Sequence, residues 1–260
     1  MNQLFDYISS HYWGFLFVFL RLSAFMMAFP FFSTSFIPIP VRIILLLSFS
    51  FFFSSLIPTV FQPPSSLLAF TFLVLKELLV GFLLALVGSI FYAVVLYAAE
   101  LISYLMGLTV ANLFDPTFGM VSVLGRFFAF VFYAVFFATD GEKLFLGALY
   151  QSFKFIPPGG VNIGDSLFNF LIKESGLIFT FGFKLAFPFI FALFITNLAL
   201  ALVNRLIPQI NVFIVGLPLQ VFVGLLALSV GFSVIVYFTV DLVQRYLEDL
   251  FRLLEVLRSG

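Results

Sequence analysis

The sequence has no cysteine and only one histidine and one tryptophan. Without thiols it can form neither a disulfide, nor a thiolate nucleophile, nor a cysteine-based metal site. The lone imidazole, His11, reads as a polar residue flanking the first apolar run rather than as a ligand. Charge is scarce as well. Only 9% of residues are Asp, Glu, Lys or Arg, against about 25% in soluble domains. Twelve basic residues balance twelve acidic ones, and no basic tract or acidic tail stands out, so nucleic acid is not an expected partner. Neither HExxH, GxSxG nor a Walker-type loop occurs, and no nucleophile has a base beside it. The expectation is a non-enzyme without cofactor or metal.

What the chain has in quantity is apolar sequence. Hydrophobic residues make up 63% of its 260 positions, and the mean hydropathy is +1.23. So few charges cannot clothe a globular surface. A bilayer core about 30 Å thick needs about 20 apolar residues per helix, and runs of that size follow one another here. The N-terminus does not read as a cleaved signal peptide, because Asp6 precedes the first run and no basic cluster opens it. Phe-rich and Leu-rich runs without period-two alternation predict helices rather than a barrel.

Six or seven hydrophobic segments are expected. The first covers residues 12–36, with Arg21 and Pro30 inside it, and Pro38 and Pro40 end it. The second covers 41–61. The third, 67–108, is long enough for two spans or one very long helix. Shorter pieces at 127–139 and 144–156 flank the turn Asp140-Gly141-Glu142-Lys143. The glycine-proline stretch 157–165 reads as a loop. Residues 166–203 form another run, with Pro188 as a kink, and the last runs from 212 to 240. Along the tail, roughly 237–258, Asp241, Arg245, Glu248, Arg252 and Glu255 share one helical face. Leu242, Tyr246, Leu250, Leu253 and Leu257 share the other. That amphipathic helix is expected either on a membrane surface or against a partner subunit.

Several ionisable groups sit in or beside apolar runs: Arg21, Lys76, Glu77, Glu100, Lys173, Glu174 and Lys184. A charge at the bilayer centre costs about 2.5–3.5 kcal/mol on insertion scales, so these groups are expected in protein interfaces or water. Adjacent helical residues diverge by about 100°, so Lys76 and Glu77 are expected to find different neighbours. Gly81 and Gly88, with Ala85 between them, offer a small-residue face for close helix approach. Residues 106–120 are too polar and broken for a lipid-facing span, yet they carry Met106, Phe114, Phe118 and Met120. A loop of that kind suits either an ordinary surface or closure of a pore by apolar contact.

Four stretches resemble the bacterial flagellar export-gate FliR family and its type III secretion relatives. Residues 21–42 (RLSAFMMAFPFFSTSFIPIPVR) resemble the family's opening, and residues 77–88 its E-x-x-x-G helix. Residues 100–119 (ELISYLMGLTVANLFDPTFG) look like the G-L-S-x-A-x-x-x-D-P signature. Residues 204–218 (NRLIPQINVFIVGLP) carry the distinctive R-x-x-P-Q-x-N-x-F core. Ala85 and Ala99 depart from the pattern, as does Asp140-Gly141-Glu142.

The resemblance implies one all-α export-gate domain over residues 1–260, built of kinked hydrophobic helices and helical hairpins. It implies assembly with FliP-like and FliQ-like subunits and a FlhB-like switch protein, and passage of unfolded secreted proteins driven by proton-motive force and a separate ATPase. The place would be the bacterial inner membrane, at the flagellar basal body. The implied plug residues are Met106, Phe114, Asp115, Pro116, Phe118 and Met120. The implied subunit-contact turn is Arg205, Pro208, Gln209, Asn211 and Phe213, and the packing positions are Glu77, Gly81 and Gly88. A virulence-type homologue, or a secondary transporter or ion channel acting alone, are the alternatives.

Overall fold

The computed structural model describes residues 2–33, 37–57, 66–109, 122–207, 209 and 212–259. Among these residues the fold is all-α, with eight helices and no strand: α1 Asn2–Ala28, α2 Pro30–Ser33, α3 Ile39–Leu56, α4 Leu67–Leu105, α5 Val123–Ala138, α6 Gly141–Phe155, α7 Asp165–Leu206 and α8 Val212–Ser259. The third apolar run is one helix of 39 residues, about 58 Å long at 1.5 Å per residue. Pro188 and Pro218 are held inside α7 and α8. Asp165 in the first turn of α7 and Arg205 in its last oppose the helix dipole in the favourable sense.

Four of these helices, α3, α4, α7 and α8, are long and apolar enough to cross a membrane. Their surroundings differ. The most apolar stretch of α4 is 61% buried inside the chain, against 11% for α3, 22% for α7 and 17% for α8. α4 is therefore a core helix, whereas the other three turn apolar faces outward. On α7 the exposed face includes Phe183, Phe187 and Phe191, with ring centroids 6.0 and 6.4 Å apart, the first pair tilted and the second stacked.

The chain divides into two compact units. The first comprises Met1–Ser89, Glu142–Glu174 and Arg245–Gly260. Its centre is an ion pair in an apolar setting. Arg21 of α1 is fully buried and Glu77 of α4 is 1% exposed, with Arg21 Nε donating to Glu77 Oε2 at 2.9 Å. The other guanidinium nitrogens donate to Glu77 Oε1 at 3.3 Å, to Ser152 Oγ at 3.1 Å and to the Ile156 carbonyl at 3.0 Å. Phe153 lies under the guanidinium, 4.1 Å from its carbon. Phe17 and Leu22 of α1, Val80 and Leu84 of α4 and Leu149 of α6 are buried in the same unit. Phe25, Phe29 and Phe145 form a ring cluster with centroids 4.5 to 5.2 Å apart.

Lys76 and Glu77 do not part company as adjacent helical residues should. Glu77 Oε1 accepts from the Gly159 N–H at 3.0 Å, and Lys76 Nζ donates to the Gly159 carbonyl at 2.9 Å. Two long side chains diverging from one helix can converge on a single residue, because its donor and acceptor point in opposite senses. Gly159 has φ +77°, and a Cβ there would lie 2.4 Å from Leu73, so only glycine fits without strain. From the same loop Asn162 donates through its N–H to the Leu257 carbonyl (3.0 Å) and through Nδ2 to the Arg258 carbonyl (3.2 Å). These are orphan carbonyls at the end of α8. The tail's apolar face, Tyr246, Leu250, Leu253 and Leu257, is buried in this unit. Both sequence expectations, a membrane surface or a partner subunit, thus give way to a core contact within the chain.

The second unit comprises Ile90–Gly141 and Ser175–Gln244. Small residues let its helices close on one another. A Cβ at Gly182 of α7 would meet Tyr97 at 2.6 Å, and one at Gly231 of α8 would meet Phe189 at 2.6 Å. Phe91, Val94, Val95, Ala98, Phe128, Leu185 and Ile235 fill the core. The turn at Thr139-Asp140, where Asp140 has φ +57°, ends α5.

Glycine positions in the first unit make a testable contrast. A Cβ at Gly81 would lie 2.1 Å from the Arg21 carbonyl oxygen, and nothing stands within 4 Å of one at Gly147. Gly81→Ala is expected to lower stability by about 1–3 kcal/mol through overpacking. Gly147→Ala should be neutral, or stabilising by roughly 0.5–1 kcal/mol. Denaturant unfolding of the two purified variants in detergent checks the difference.

Candidate functional site

The segment singled out in the sequence begins where α4 stops. Gly107 follows the helix with φ +74°. Its N–H donates to the Tyr104 carbonyl at 3.0 Å, and the Leu108 N–H donates to the Ser103 carbonyl at 3.1 Å. Those two bonds with a left-handed glycine form a Schellman stop. Just before it, Met106 is fully buried. Its thioether lies against Gly224 of α8, where a Cβ would come within 2.5 Å of the sulfur. A Cβ on Gly107 would lie 2.6 Å from Leu217 and 3.6 Å from Gln220. The entry to the segment is therefore wedged into α8 by a flexible thioether and held there by a residue that must be glycine.

The exit is fastened just as firmly. Ser122 is 1% exposed, with extended backbone, and its Oγ accepts from the Gly125 N–H at 2.9 Å as the N-cap of α5. Its own N–H donates to Glu100 Oε1 at 3.0 Å. Glu100, on α4 six residues before Met106, thus ties the beginning of α5 to the end of α4. In the sequence Glu100 stands out as a charge in an apolar run and as the first residue of the family-like stretch 100–119. The signal that identifies its role is Ser122 ahead of an apolar run, a cap whose buried N–H needs an acceptor.

Beside this seat, still within the second unit, lies a cleft of about 350 Å³ lined by Asn197, Leu200, Ala201, Asn204, Gly216, Leu217 and Gln220. Gln220 Nε2 donates to Asn197 Oδ1 across it. The cleft is neutral: its polar groups are amides, which can donate and accept but cannot hold charge.

The other residues picked out in the sequence fall in several places. Phe114, Asp115, Pro116, Phe118 and Met120 lie outside the described residues, as do Pro208 and Asn211. Arg205 is exposed in the last turn of α7, and Gln209 is exposed in the turn that follows. Phe213 is in the first turn of α8, and its side chain is outside the description. Met106, Arg205 and Gln209 belong to the second unit. Glu77, Gly81 and Gly88 belong to the first, where Gly88 faces the Phe29 ring so closely that a Cβ would lie 2.3 Å from it. No group of three or more His, Asp or Glu that could hold a metal occurs among the described residues. The described residues on either side of 110–121 are thus held by buried contacts, with an uncharged cleft beside Gly107.

Comparison with known proteins gives the family. Residues 12–246 match the model of the family described as bacterial export proteins, family 1. The flagellar biosynthetic protein FliR of Bacillus subtilis (strain 168) is 34% identical over 242 residues, covering 90% of each chain. FliR of Escherichia coli (strain K12) is 30% identical over 86% of this chain and 84% of its own. The secretion system apparatus protein SsaT of Salmonella typhimurium is 29% identical over 62% of each chain. With a family match spanning most of its length and relatives of this identity and coverage, the chain belongs to the FliR family of bacterial export proteins.

Proposed function

We propose that the chain is a structural subunit of a type III protein export gate in the bacterial inner membrane, at the flagellar basal body. In this reading it assembles with FliP-like and FliQ-like subunits, with a FlhB-like switch protein at the entrance, and unfolded secreted proteins pass through the assembly. The observation that carries the proposal is how the residues flanking 110–121 are held. A polar segment containing Asp115-Pro116 and Gly119 is anchored at both ends by buried contacts, at Met106 against Gly224 and at Ser122 on Glu100. Broken backbone in a membrane protein needs protein or a water path around it, and a ring of apolar side chains closes such a path by dewetting. Phe114, Phe118 and Met120 are the proposed closing residues. Asp115 and Pro116 shape the segment, and Met106 is the fixed point on which it pivots.

The outward apolar faces of α3, α7 and α8 suit a subunit among neighbours, with Arg205, Pro208, Gln209, Asn211 and Phe213 as the proposed meeting turn. The exposure of Arg205 and Gln209 supports that assignment. The FliR relatives match more of the chain than SsaT does, which favours the flagellar over the virulence branch. Catalysis has no part in this reading, since every proposed residue acts by packing or by being displaced.

Three outcomes follow. Gly107→Val places a side chain against Leu217 on a backbone of positive φ, so it should unseat the segment. Ion leak through the assembled gate in proteoliposomes should rise by about tenfold or more once the pore wets, and an unchanged leak contradicts the plug assignment. Asp115→Ala should leave co-purification with FliP-like and FliQ-like partners intact and raise the leak less. The isolated chain should move no solute, whereas flux from it alone would favour a stand-alone transporter.

A further inference from the structure

Gln220 is the only Asn or Gln in the apolar run of α8, residues 212–240. It follows Gly216 by four residues and Pro218 by two. Pro218 lacks the N–H that would bond the Ile214 carbonyl, and a glycine loosens the same turn. The start of α8 therefore leans on tertiary contacts. Residues 217, 220 and 224, spaced by three and four, share one face of the helix. All three meet the end of α4 within the second unit. A Cβ on Gly107 would lie 2.6 Å from Leu217 Cδ2 and 3.6 Å from Gln220 Oε1, and the Met106 thioether packs on Gly224. The nitrogen of the same amide is engaged too, since Gln220 Nε2 donates to Asn197 Oδ1 of α7.

Apolar contacts such as those of Leu217 and Gly224 carry no direction. An amide pair does, because its bond weakens steeply once donor and acceptor fall out of line. Turning α8 by one residue, about 100°, would carry Gln220 away from Asn197. The same turn would carry Leu217 from Gly107 and Gly224 from Met106. Parting the amides also leaves both facing surroundings that include Leu200, Ala201 and Leu217. An unmade bond in such a place costs more than the bond itself contributes. One directional link thus keeps three contacts in phase.

We infer that Asn197 and Gln220 are positioning residues, whose hydrogen bond sets the rotation of α8 about its axis and so seats Met106 and Gly107 at the end of α4. They act through the residues they place. The inference deepens the proposed function and rests on it for one consequence only: this seat precedes the segment taken as the plug, so losing the bond should make the gate leak. The seating itself stands apart from that reading.

The test uses the full chain in nanodiscs. Its five methionines make ¹³C-methyl spectra sparse, and Met106→Leu identifies the Met106 signal. Met26 of the first unit, 6% exposed, serves as the control. Asn197→Leu should shift the Met106 methyl and speed amide exchange at Gly107 and Leu108 by about five- to tenfold, with Met26 unmoved. Asn197→Asp keeps an acceptor for Gln220 Nε2 and should match the wild type in both. A disturbance of Met26 equal to that of Met106 in Asn197→Leu, or none at Met106, Gly107 and Leu108, overturns the inference. So does the same disturbance in Asn197→Asp. In the unsubstituted chain, nuclear Overhauser contacts should join the Gln220 side-chain amide to Asn197 and the Met106 methyl to Gly224. Their absence overturns it as well, even where a variant fails to fold. Ion leak through the assembled gate separates the two readings. A shifted Met106 without added leak upholds the positioning role and counts against the plug.

Discussion

The fold of the first unit depends on Arg21 and Glu77 satisfying each other where no water reaches. Removing two charges from water costs several kcal/mol per ion, and only near-complete hydrogen bonding offsets it. Here the guanidinium meets a carboxylate, a hydroxyl, a carbonyl and a ring, and the carboxylate also takes the Gly159 N–H. Those partners come from three stretches of chain: α4, the end of α6 and the loop after it. The pair therefore fixes α1 against α4, the end of α6 against both, and the loop after α6 against α4. A leucine pair of the same bulk would fill the space without specifying which backbone groups meet there.

The second unit solves its equivalent problem with smaller means. Its helices approach through Gly182, Gly224 and Gly231, each lying against a large side chain: Tyr97, Met106 and Phe189 respectively. Glu100 then supplies the acceptor that a buried helix start requires. In both units a carboxylate of α4 holds a loop by a backbone N–H, Glu77 at Gly159 and Glu100 at Ser122. α4, the most deeply buried of the long apolar helices, is the common scaffold. The segment proposed as a plug begins and ends on it.

Much of this was legible in the sequence. The apolar runs located the helices, the loop at 157–165 was plain from its glycines and prolines, and residues 100–119 and 204–218 carried the family signature. Helix continuity was harder. The tail reads as a separate amphipathic helix, but it continues α8, because nothing between the apolar run and the charged face breaks the backbone. Its destination was also hidden, since an amphipathic face announces that it will be covered without saying by what. The convergence of Lys76 and Glu77 on one glycine could not be read from helical angles, which describe Cβ directions and not the reach of long side chains.

Ionisable groups in this chain thus persist among apolar residues because other parts of the same chain complete their hydrogen bonding. A double-mutant cycle on Arg21→Met and Glu77→Leu, read as unfolding free energy in detergent, addresses that claim most directly. Each single substitution leaves one buried charge alone and should cost about 3–5 kcal/mol, while the double should cost far less than the sum. Single effects below about 1 kcal/mol that simply add are the signature of a solvated pair and would contradict the account.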